Sequence, residues 1–285
     1  MTEPRLTQFR NGPYTFDVID SGPLDGVPVV LLHGFPQRAS SWNTVAEHLH
    51  ERGLRTYALD QRGYSPGARP TSRFAYGMAA LVSDVVALID AIGAPRVHLV
   101  GHDWGAAVAW SVAGRHPDRL ATLTAASVAH PAAFVRSLLT SRQALKSYYM
   151  ALFQLPVLPE RMLASGRADA SLRRGGMSRE MVKRFHTEIV DHGALRGGLG
   201  YYRSIFRAPG GQLGKKITVP TTYVWSDDDV ALGRKGAEIN HRWMSGPYEL
   251  EIFEGASHWL LDERPAELAA SIIKRVGIQG VSATP

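Results

Sequence analysis

A chain of 285 residues that is 45% hydrophobic and 20% charged has the size and composition of a single α/β enzyme domain carrying an insertion. The absence of cysteine excludes disulfides, a thiol nucleophile and cysteine metal sites. The formal net charge of +6 comes from scattered Lys and Arg without interleaved aromatic residues, so we interpret it as a solvated surface and predict no nucleic-acid partner.

Strands and helices alternate along the first part of the chain. Alternating polar and apolar residues at Tyr14–Asp20 predict an edge strand, and the continuous apolar run Val27–Leu32 predicts a strand buried on both faces of a parallel sheet. Periodicity and cap signals predict three further elements: a helix over Ser41–Arg52 with Ser40 or Ser41 as its N-cap, a strand over Arg55–Leu59, and a helix over Met78–Ile92. This alternation is typical of a parallel sheet covered by helices on both faces.

The stretch Arg96–Trp110 combines a short apolar strand, a turn bounded by Gly101 and Gly105, and a helix rich in small residues. This pattern is typical of a nucleophile elbow, a strained bend that exposes the side chain at its centre. The central residue is Asp103, where lipases and esterases carry serine, and a carboxylate can attack carbon and form an ester. An Asp here could instead cap the following helix by accepting its free N–H groups. The elbow residues alone leave both roles open.

The pattern changes after a predicted strand at Leu120–Ala126. From about residue 132 to residue 214 strand signals disappear, and the segment is helical with interruptions at prolines and paired glycines. We therefore predict an α/β core of residues 1–131 and 215–285, with a helical cap of residues 132–214 inserted between two sheet strands. Apolar residues early in this cap indicate an apolar pocket: Met150, Leu152, Phe153, Leu155 and Leu158.

Sheet strands resume after the cap. Apolar runs predict strands at Thr221–Trp225 and Tyr248–Phe253, and a closing helix is predicted over Pro265–Val276. Residues 277–285 are predicted to form a loose tail.

Acidic and histidine side chains follow the last two predicted strands. The aspartates Asp227, Asp228 and Asp229 follow the first of them, and His258 follows the second. Together with Asp103 they give the order nucleophile, acid, histidine, which is the order of the α/β-hydrolase triad. Because ligands of parallel sheets bind beyond the carboxyl ends of the strands, we expect one site there. A buried carboxylate would orient the imidazole to activate water, but the chemistry alone does not decide which aspartate does so.

The chain resembles the epoxide hydrolase group of the α/β-hydrolase fold over nearly its whole length. The resemblance rests on four motifs: His33-Gly34-Phe35-Pro36, Asp60-Gln61-Arg62-Gly63-Tyr64, Gly101-His102-Asp103-Trp104-Gly105, and the late Asp and His. It implies the α/β-hydrolase fold, a mostly parallel central sheet flanked by helices with an inserted helical cap. In the family the acid falls on the third aspartate of the triplet, which favours Asp229.

The resemblance also implies two cap tyrosines that open the epoxide ring. One precedes the glutamine of a Phe-Gln pair by five residues, as Tyr149 precedes Gln154 here. The second lies in an aromatic-Tyr-Arg triplet, as Tyr202 does. Tyr148 and Tyr201 compete for the same two roles.

The mechanism that the resemblance implies uses five catalytic residues. Asp103 attacks an epoxide carbon while Tyr149 and Tyr202 protonate the ring oxygen, because an alkoxide is a poor leaving group. Water activated by His258, which Asp229 orients, then hydrolyses the ester. The expected product is a vicinal diol, and no cofactor or metal is expected.

Two backbone N–H groups, those of Phe35 and Trp104, are expected to bind the oxyanion and so to contact the substrate. We predict a small apolar epoxide as the substrate. No apolar run approaches the length of a membrane span, and Met1–Leu6 lacks the apolar core of a secretory signal, which is consistent with a cytoplasmic protein. A homodimer stays open, since no sequence feature fixes the oligomeric state.

Dehalogenation is the closest alternative, because haloalkane and haloacid dehalogenases of this fold also form an ester on an Asp. Many haloalkane dehalogenases place Asn where this chain has Phe35, which lacks a side-chain donor for halide. Fluoroacetate-type dehalogenases carry Arg where this chain has Trp104. Both differences favour epoxide opening. A non-catalytic ligand-binding member of the fold is less favoured because the triad is complete, and a serine esterase is disfavoured because the elbow holds no serine.

Overall fold

The computed structural model describes residues 4–205 and 214–277, and an eight-stranded sheet lies at the centre of this part of the chain. The strands are β1 (Gln8–Asn11), β2 (Tyr14–Ser21), β3 (Val27–Leu32), β4 (Leu54–Leu59), β5 (Val97–His102), β6 (Leu120–Ala126), β7 (Thr221–Ser226) and β8 (Tyr248–Phe253). Their order across the sheet is β1-β2-β4-β3-β5-β6-β7-β8. Only the pairings that involve β2 are antiparallel. The predicted mostly parallel sheet is therefore confirmed.

Helices cover the sheet and also form an insertion between β6 and β7. In the described ranges the α-helices are α1 (Asn43–His50), α2 (Met78–Ile92), α3 (Trp104–Arg115), α4 (Pro131–Thr140), α5 (Gln143–Lys146), α6 (Tyr148–Leu152), α7 (Leu158–Ala164), α8 (Asp169–Arg174), α9 (Arg179–Phe185), α10 (Leu195–Ser204), α11 (Arg234–Ile239), α12 (Leu260–Glu263) and α13 (Pro265–Val276). Short 3-10 turns link several of them, and a π-helical turn, His186–Asp191, follows α9.

The central strand β3 shows how the sheet divides the core. Successive side chains of a strand point to opposite faces. Val29 and Leu31 accordingly pack in one apolar cluster with residues of α1 and α13. Val30 and Leu32 pack in a second cluster with residues of α2 and α3. The continuous apolar run thus forms a strand buried on both faces, as its sequence predicted.

The predicted edge strand is wrong in its position. β2 begins at Tyr14 as expected, but it lies between β1 and β4, and the four-residue strand β1 forms the edge. A tight turn at Gly12, with φ of +57°, folds β1 back onto β2. The sequence does not predict β1, because four residues are too few to show a periodic pattern.

The first core helix begins later than predicted. Ala39–Trp42 form a 3-10 turn, and α1 begins at Asn43 without a side-chain cap, so neither Ser40 nor Ser41 caps it. The Ser40 hydroxyl instead donates to the Glu188 carboxylate in the insertion. The Ser40 hydroxyl, which the local pattern assigned to the helix cap, is therefore bound by Glu188, a residue distant in the sequence.

The other core elements match their predictions to within a residue or two. The predicted tail lies outside the described residues from residue 278 onward, and so do residues 206–213 of the predicted cap. Among the described helices, none has both the length and the apolar character needed to span a membrane.

The insertion between β6 and β7 is helical in its described part, from α4 to α10, without a strand. α10 lies against the loop that follows β4. There a Cβ on Gly197 would lie 2.4 Å from the Gly63 Cα, so the two backbones can meet only as glycines. This contact brings the insertion over the carboxyl ends of the parallel strands.

Candidate active site

Loops at the carboxyl ends of four parallel strands bring together the polar groups of the predicted site. Phe35 follows β3, Asp103 follows β5, Asp229 follows β7 and His258 follows β8. Ligand sites of parallel sheets lie at this end because the loops there leave the sheet around a common crevice.

Asp103 lies at the tip of the turn between β5 and α3. Its φ of +52° and ψ of −118° are strained for a residue that carries a side chain. A Cβ on Gly105 would lie 2.0 Å from the Leu32 carbonyl oxygen, so the close helix–strand approach requires glycine. The Asp103 side chain makes no capping bond to α3, and its Oδ1 accepts from the Phe35 N–H at 2.8 Å. The alternative role as a helix cap is therefore wrong, and the carboxylate points into the site.

His258 lies between two carboxylates. Its Nδ1 is 2.7 Å from Asp229 Oδ2, and its Nε2 is 3.6 Å from Asp103 Oδ2. All three side chains are buried. Asp229 Oδ1 also accepts from the backbone N–H groups of Ala231 and Leu232, which fixes this carboxylate in place.

The other two aspartates of the triplet face elsewhere. Asp227 accepts from the Gly255 N–H at 2.8 Å, and Asp228 is exposed. Of the three candidates, the structure brings only Asp229 into contact with His258. The residue types left this choice open, because it depends on the path of the loop.

The charges of the site shift two pKa values. Burial alone would raise the pKa of Asp103, but the close imidazole of His258, with a smaller contribution from the Trp104 N–H, holds it below its usual value. Burial alone would lower the pKa of His258, but Asp229 and Asp103 together raise it to about 10. At neutral pH the resting site therefore holds an imidazolium between two carboxylates.

His102 supports the loop of His258, a role that its place in the elbow motif did not suggest. Its Nε2 donates to the His258 carbonyl oxygen at 2.9 Å, and the two rings lie 5.0 Å apart. Burial lowers the pKa of His102 to about 4, so the ring is neutral. In the sequence, the only indication of this role was the position of His102 directly before Asp103.

The Phe35 N–H donates to the Asp103 carboxylate, and the Trp104 N–H, at the start of α3, helps to lower the pKa of that carboxyl. The Phe35 loop is held by a pair of residues to which we assigned no role. His33 Nε2 accepts from the Gln61 N–H at 3.2 Å, and the Gln61 side-chain amide donates to the His33 carbonyl oxygen. His33 and Gln61 both lie in motifs that carry the resemblance. Their pairing is not visible in the sequence, because it joins two separate loops.

Tyr149 of α6 and Tyr202 of α10 line the same cavity as Asp103 and His258. Their rings meet edge to face with centroids 6.0 Å apart. Burial, with the nearby charge of Asp103, raises the pKa of Tyr149 and of Tyr202, so both phenols stay protonated. Gln154 links the two helices by donating to the Tyr202 carbonyl oxygen at 2.8 Å.

The competing tyrosines are placed differently. Tyr148 is 71% exposed and lies at the open rim of the cavity. Tyr201 is buried on the other side of α10, where its hydroxyl donates to the Arg62 carbonyl oxygen at 2.9 Å. Of the four candidates, the partly buried Tyr149 and the buried Tyr202 are therefore the phenols that line the cavity inside its rim.

The cavity has a volume of about 490 Å³, a size suited to a small organic molecule. Of the apolar residues expected in it, Leu152 and Phe153 line its wall. Met150, Leu155 and Leu158 do not, and the last two are exposed. Among the described residues, no cluster of three or more His, Asp and Glu side chains is placed to hold a metal ion.

Residues 27–265 match the family model described as the alpha/beta hydrolase fold. The AB hydrolase superfamily protein YfhM of Bacillus subtilis is 34% identical, with 88% of this chain and 91% of that protein aligned. Epoxide hydrolase A of Mycobacterium tuberculosis is 32% identical, with 90% and 92% aligned. The crystal structure of epoxide hydrolase A from Mycobacterium thermoresistibile superposes with a TM-score of 0.81 at 27% identity, over 94% of this chain and 96% of that one.

Proposed function

Because the chain belongs to the α/β-hydrolase fold family and, within it, to the epoxide hydrolases, we propose that it hydrolyses epoxides to vicinal diols through a covalent ester on Asp103. The observation that carries the proposal is one cavity that the Asp103 carboxylate shares with the phenols of Tyr149 and Tyr202 and with the His258 imidazole, which it contacts. A nucleophile, an acid and a base are thus available within one site.

The first step forms the ester. An Asp103 oxygen attacks an epoxide carbon, the carbon–oxygen bond of the ring breaks, and the oxygen takes a proton from Tyr149 or Tyr202. The lowered pKa keeps Asp103 ionised, and the raised pKa values keep the two phenols protonated. Both partners are therefore in the reactive form at neutral pH.

The second step breaks the ester. His258 takes a proton from water, and the hydroxide adds to the ester carbon of Asp103. The Phe35 and Trp104 N–H groups stabilise the oxyanion, and loss of one such donor typically costs about 3 kcal/mol. The bond between the Asp103 carbonyl carbon and the diol oxygen then breaks, and the diol oxygen takes the proton that His258 holds. The Asp103 carboxyl that remains loses its proton, which returns the tyrosinate of the first step to a phenol.

Ester formation prepares His258 for this second role. An ester is neutral, so alkylation removes one of the two carboxylate charges that raise the pKa of His258. The pKa of the imidazole then falls from its resting value. Ester formation therefore favours loss of the imidazolium proton, which must leave before His258 can accept one from water.

Isotope labelling tests the covalent route. With the protein in excess over styrene oxide in ¹⁸O water, we expect an unlabelled diol in the first turnover and the label in the Asp103 carboxylate, read by mass spectrometry of the peptide. Direct attack of water would give a labelled diol and an unlabelled Asp103, and this outcome would rule out the ester.

Removing the two phenols separates epoxide opening from dehalogenation. We expect Tyr149→Phe and Tyr202→Phe each to lower kcat/KM for an epoxide by about 10²-fold, because an alkoxide needs a proton donor. Tyr148→Phe is the matched control and should leave the rate unchanged, since this side chain is exposed. Because a leaving halide needs no proton, turnover of a haloalkane that survives both substitutions would favour the dehalogenase instead.

A further inference from the structure

His258 is held on the side of the sheet by residues of the core. Asp229 Oδ2 lies 2.7 Å from Nδ1 of the imidazole, and His102 Nε2 donates to the His258 carbonyl oxygen at 2.9 Å. These contacts fix the ring and the main chain from one side. The segment that carries His258, residues 257–263, makes its contacts on the other side with the helical insertion.

The first of these contacts is made by Trp259, which is buried and lines the cavity. The Trp259 ring meets the His258 ring edge to face, with centroids 5.1 Å apart and an angle of 86° between the planes. Its indole N–H donates to the Gly175 carbonyl oxygen at 2.8 Å, in the turn between α8 and α9. The side chain that packs against the imidazole is therefore itself hydrogen-bonded to the insertion.

The paired glycines of that turn, predicted only as an interruption of helical structure, allow this close approach. Gly176 has a φ of +96°, which favours glycine. A Cβ on Gly176 would lie 3.0 Å from Ser257 Oγ and 3.1 Å from Trp259 Cδ1, closer than ordinary van der Waals contact. A side chain there would push the turn away from residues 257–263, so glycine at this position lets the Gly175 carbonyl reach the indole.

A second bond joins the same segment to the insertion. Arg184 of α9 donates to Asp262 Oδ1 at 2.7 Å. The other oxygen of Asp262 accepts from the Gln37 side-chain amide at 2.7 Å, in the loop that also holds Phe35. Asp262 therefore connects the insertion with both loops assigned to ester hydrolysis, those of His258 and Phe35.

The groups assigned to ester formation are held by other elements. Asp103 lies between β5 and α3, Tyr149 lies on α6, and Tyr202 lies on α10. Neither of the two bonds that join residues 257–263 to the insertion includes these side chains. Weakening the two bonds should therefore displace the base more than the nucleophile or the acids.

We propose that Trp259 is a positioning residue for ester hydrolysis, through which the insertion holds the His258 imidazole in place beside the ester on Asp103. This inference rests on the proposed function and adds a residue to its second step. Trp259 acts through His258, because its N–H is occupied by the Gly175 carbonyl oxygen. Displacement of a reacting group by about 1 Å can slow a reaction by about 100-fold, so a small shift of this segment is enough to slow hydrolysis.

Trp259→Phe tests the proposal, because it keeps an aromatic ring beside His258 and removes the N–H that binds Gly175. With the protein in excess over styrene oxide, rapid quenching measures the rate of epoxide loss and the rate of diol release. We expect ester formation within about twofold of the unaltered protein and ester hydrolysis slower by about tenfold. In the steady state kcat and KM should fall together, because the ester then accumulates.

Trp243→Phe is the matched control. Trp243 is partly buried and stacks on His130 with ring centroids 5.8 Å apart, and it is not among the described residues that line the cavity. Both rates should therefore be unchanged. Thermal melts of the two variants show whether a slower step accompanies a loss of stability.

Arg184→Gln tests the second bond at a side chain that is 38% exposed, where the substitution leaves the core intact. We expect ester hydrolysis to slow by about threefold and ester formation to stay unchanged, since a partly exposed ion pair contributes little. Arg119→Gln removes an ion pair of similar length, 2.6 Å to Asp90, away from the cavity lining of the described residues, and should change neither rate.

Equal slowing of the two steps in Trp259→Phe would reduce Trp259 to a structural role and overturn the proposal, and so would unchanged ester hydrolysis. If Trp259→Phe does not fold, the same two outcomes in Arg184→Gln decide. Failure of the proposed function looks different, because the unaltered protein would then form no ester from an epoxide. An ester that forms, and that Trp259→Phe hydrolyses at the unaltered rate, would remove the positioning role alone.

Discussion

Asp103→Asn is expected to abolish turnover, with kcat lower by at least about 10⁴-fold, as when the nucleophile of a covalent mechanism is removed. A neutral amide oxygen is a far weaker nucleophile than a carboxylate. The fold should survive, because Asn has the same shape, tolerates the φ of +52° and can still accept from the Phe35 N–H. Steady-state kinetics and a thermal melt of the same preparation measure the two effects.

An exposed aspartate in a neighbouring loop provides the control. Asp228→Asn also removes one negative charge at the carboxyl end of the sheet, but its side chain does not contact His258, so activity should persist. The contrary result would be an Asp103→Asn variant whose activity stays within tenfold of the unaltered protein while its intact mass confirms the Asn. Asp103 would then not be the nucleophile.

His258→Gln should separate the two half-reactions. Asp103 and the phenols remain, so the first equivalent of epoxide is consumed, but no base is left to activate water and the ester accumulates. We expect kcat to fall by about 10⁴-fold after a burst of one equivalent per protein. Intact mass spectrometry should show the protein heavier by one substrate, and peptide mapping should place the adduct on Asp103.

The pH of that experiment matters, because His258 is also what holds the pKa of Asp103 down. Without the imidazole, burial raises the pKa of Asp103, and a carboxyl with a raised pKa is neutral until the pH exceeds that pKa. The burst should therefore be faster as the pH is raised, because a larger fraction of Asp103 is then ionised. Asp103→Asn/His258→Gln should give no adduct, and steady turnover by His258→Gln would mean that another group activates water.

Within the core, local patterns in the sequence determined most of the elements. Val27–Leu32 is apolar at every position apart from a proline, and such a run can be buried only where helices cover both faces of the sheet. The glycines around Asp103 likewise predicted a turn in which strand and helix meet closely. These features are local, so neighbouring residues are enough to predict them.

The resemblance, and not the residue pattern, selected Asp229, Tyr149 and Tyr202. Neighbouring residues of a helix point about 100° apart, so Tyr148 and Tyr149 must face different surroundings, but the sequence does not say which one faces the site. The same holds for Tyr201 and Tyr202 on α10.

Tertiary contacts decided what remained. The loop after β7 turns Asp229 toward His258 and leaves Asp228 in solvent. The approach of α10 buries one tyrosine of its pair against the core and the other beside Asp103. The sequence by itself therefore determined which chemical groups the protein carries and on which elements, whereas the folded chain decided which of them meet. The reason is physical: a hydrogen bond or a shared cavity depends on side chains that are distant in the chain, and local propensity contains no information about their distance in space.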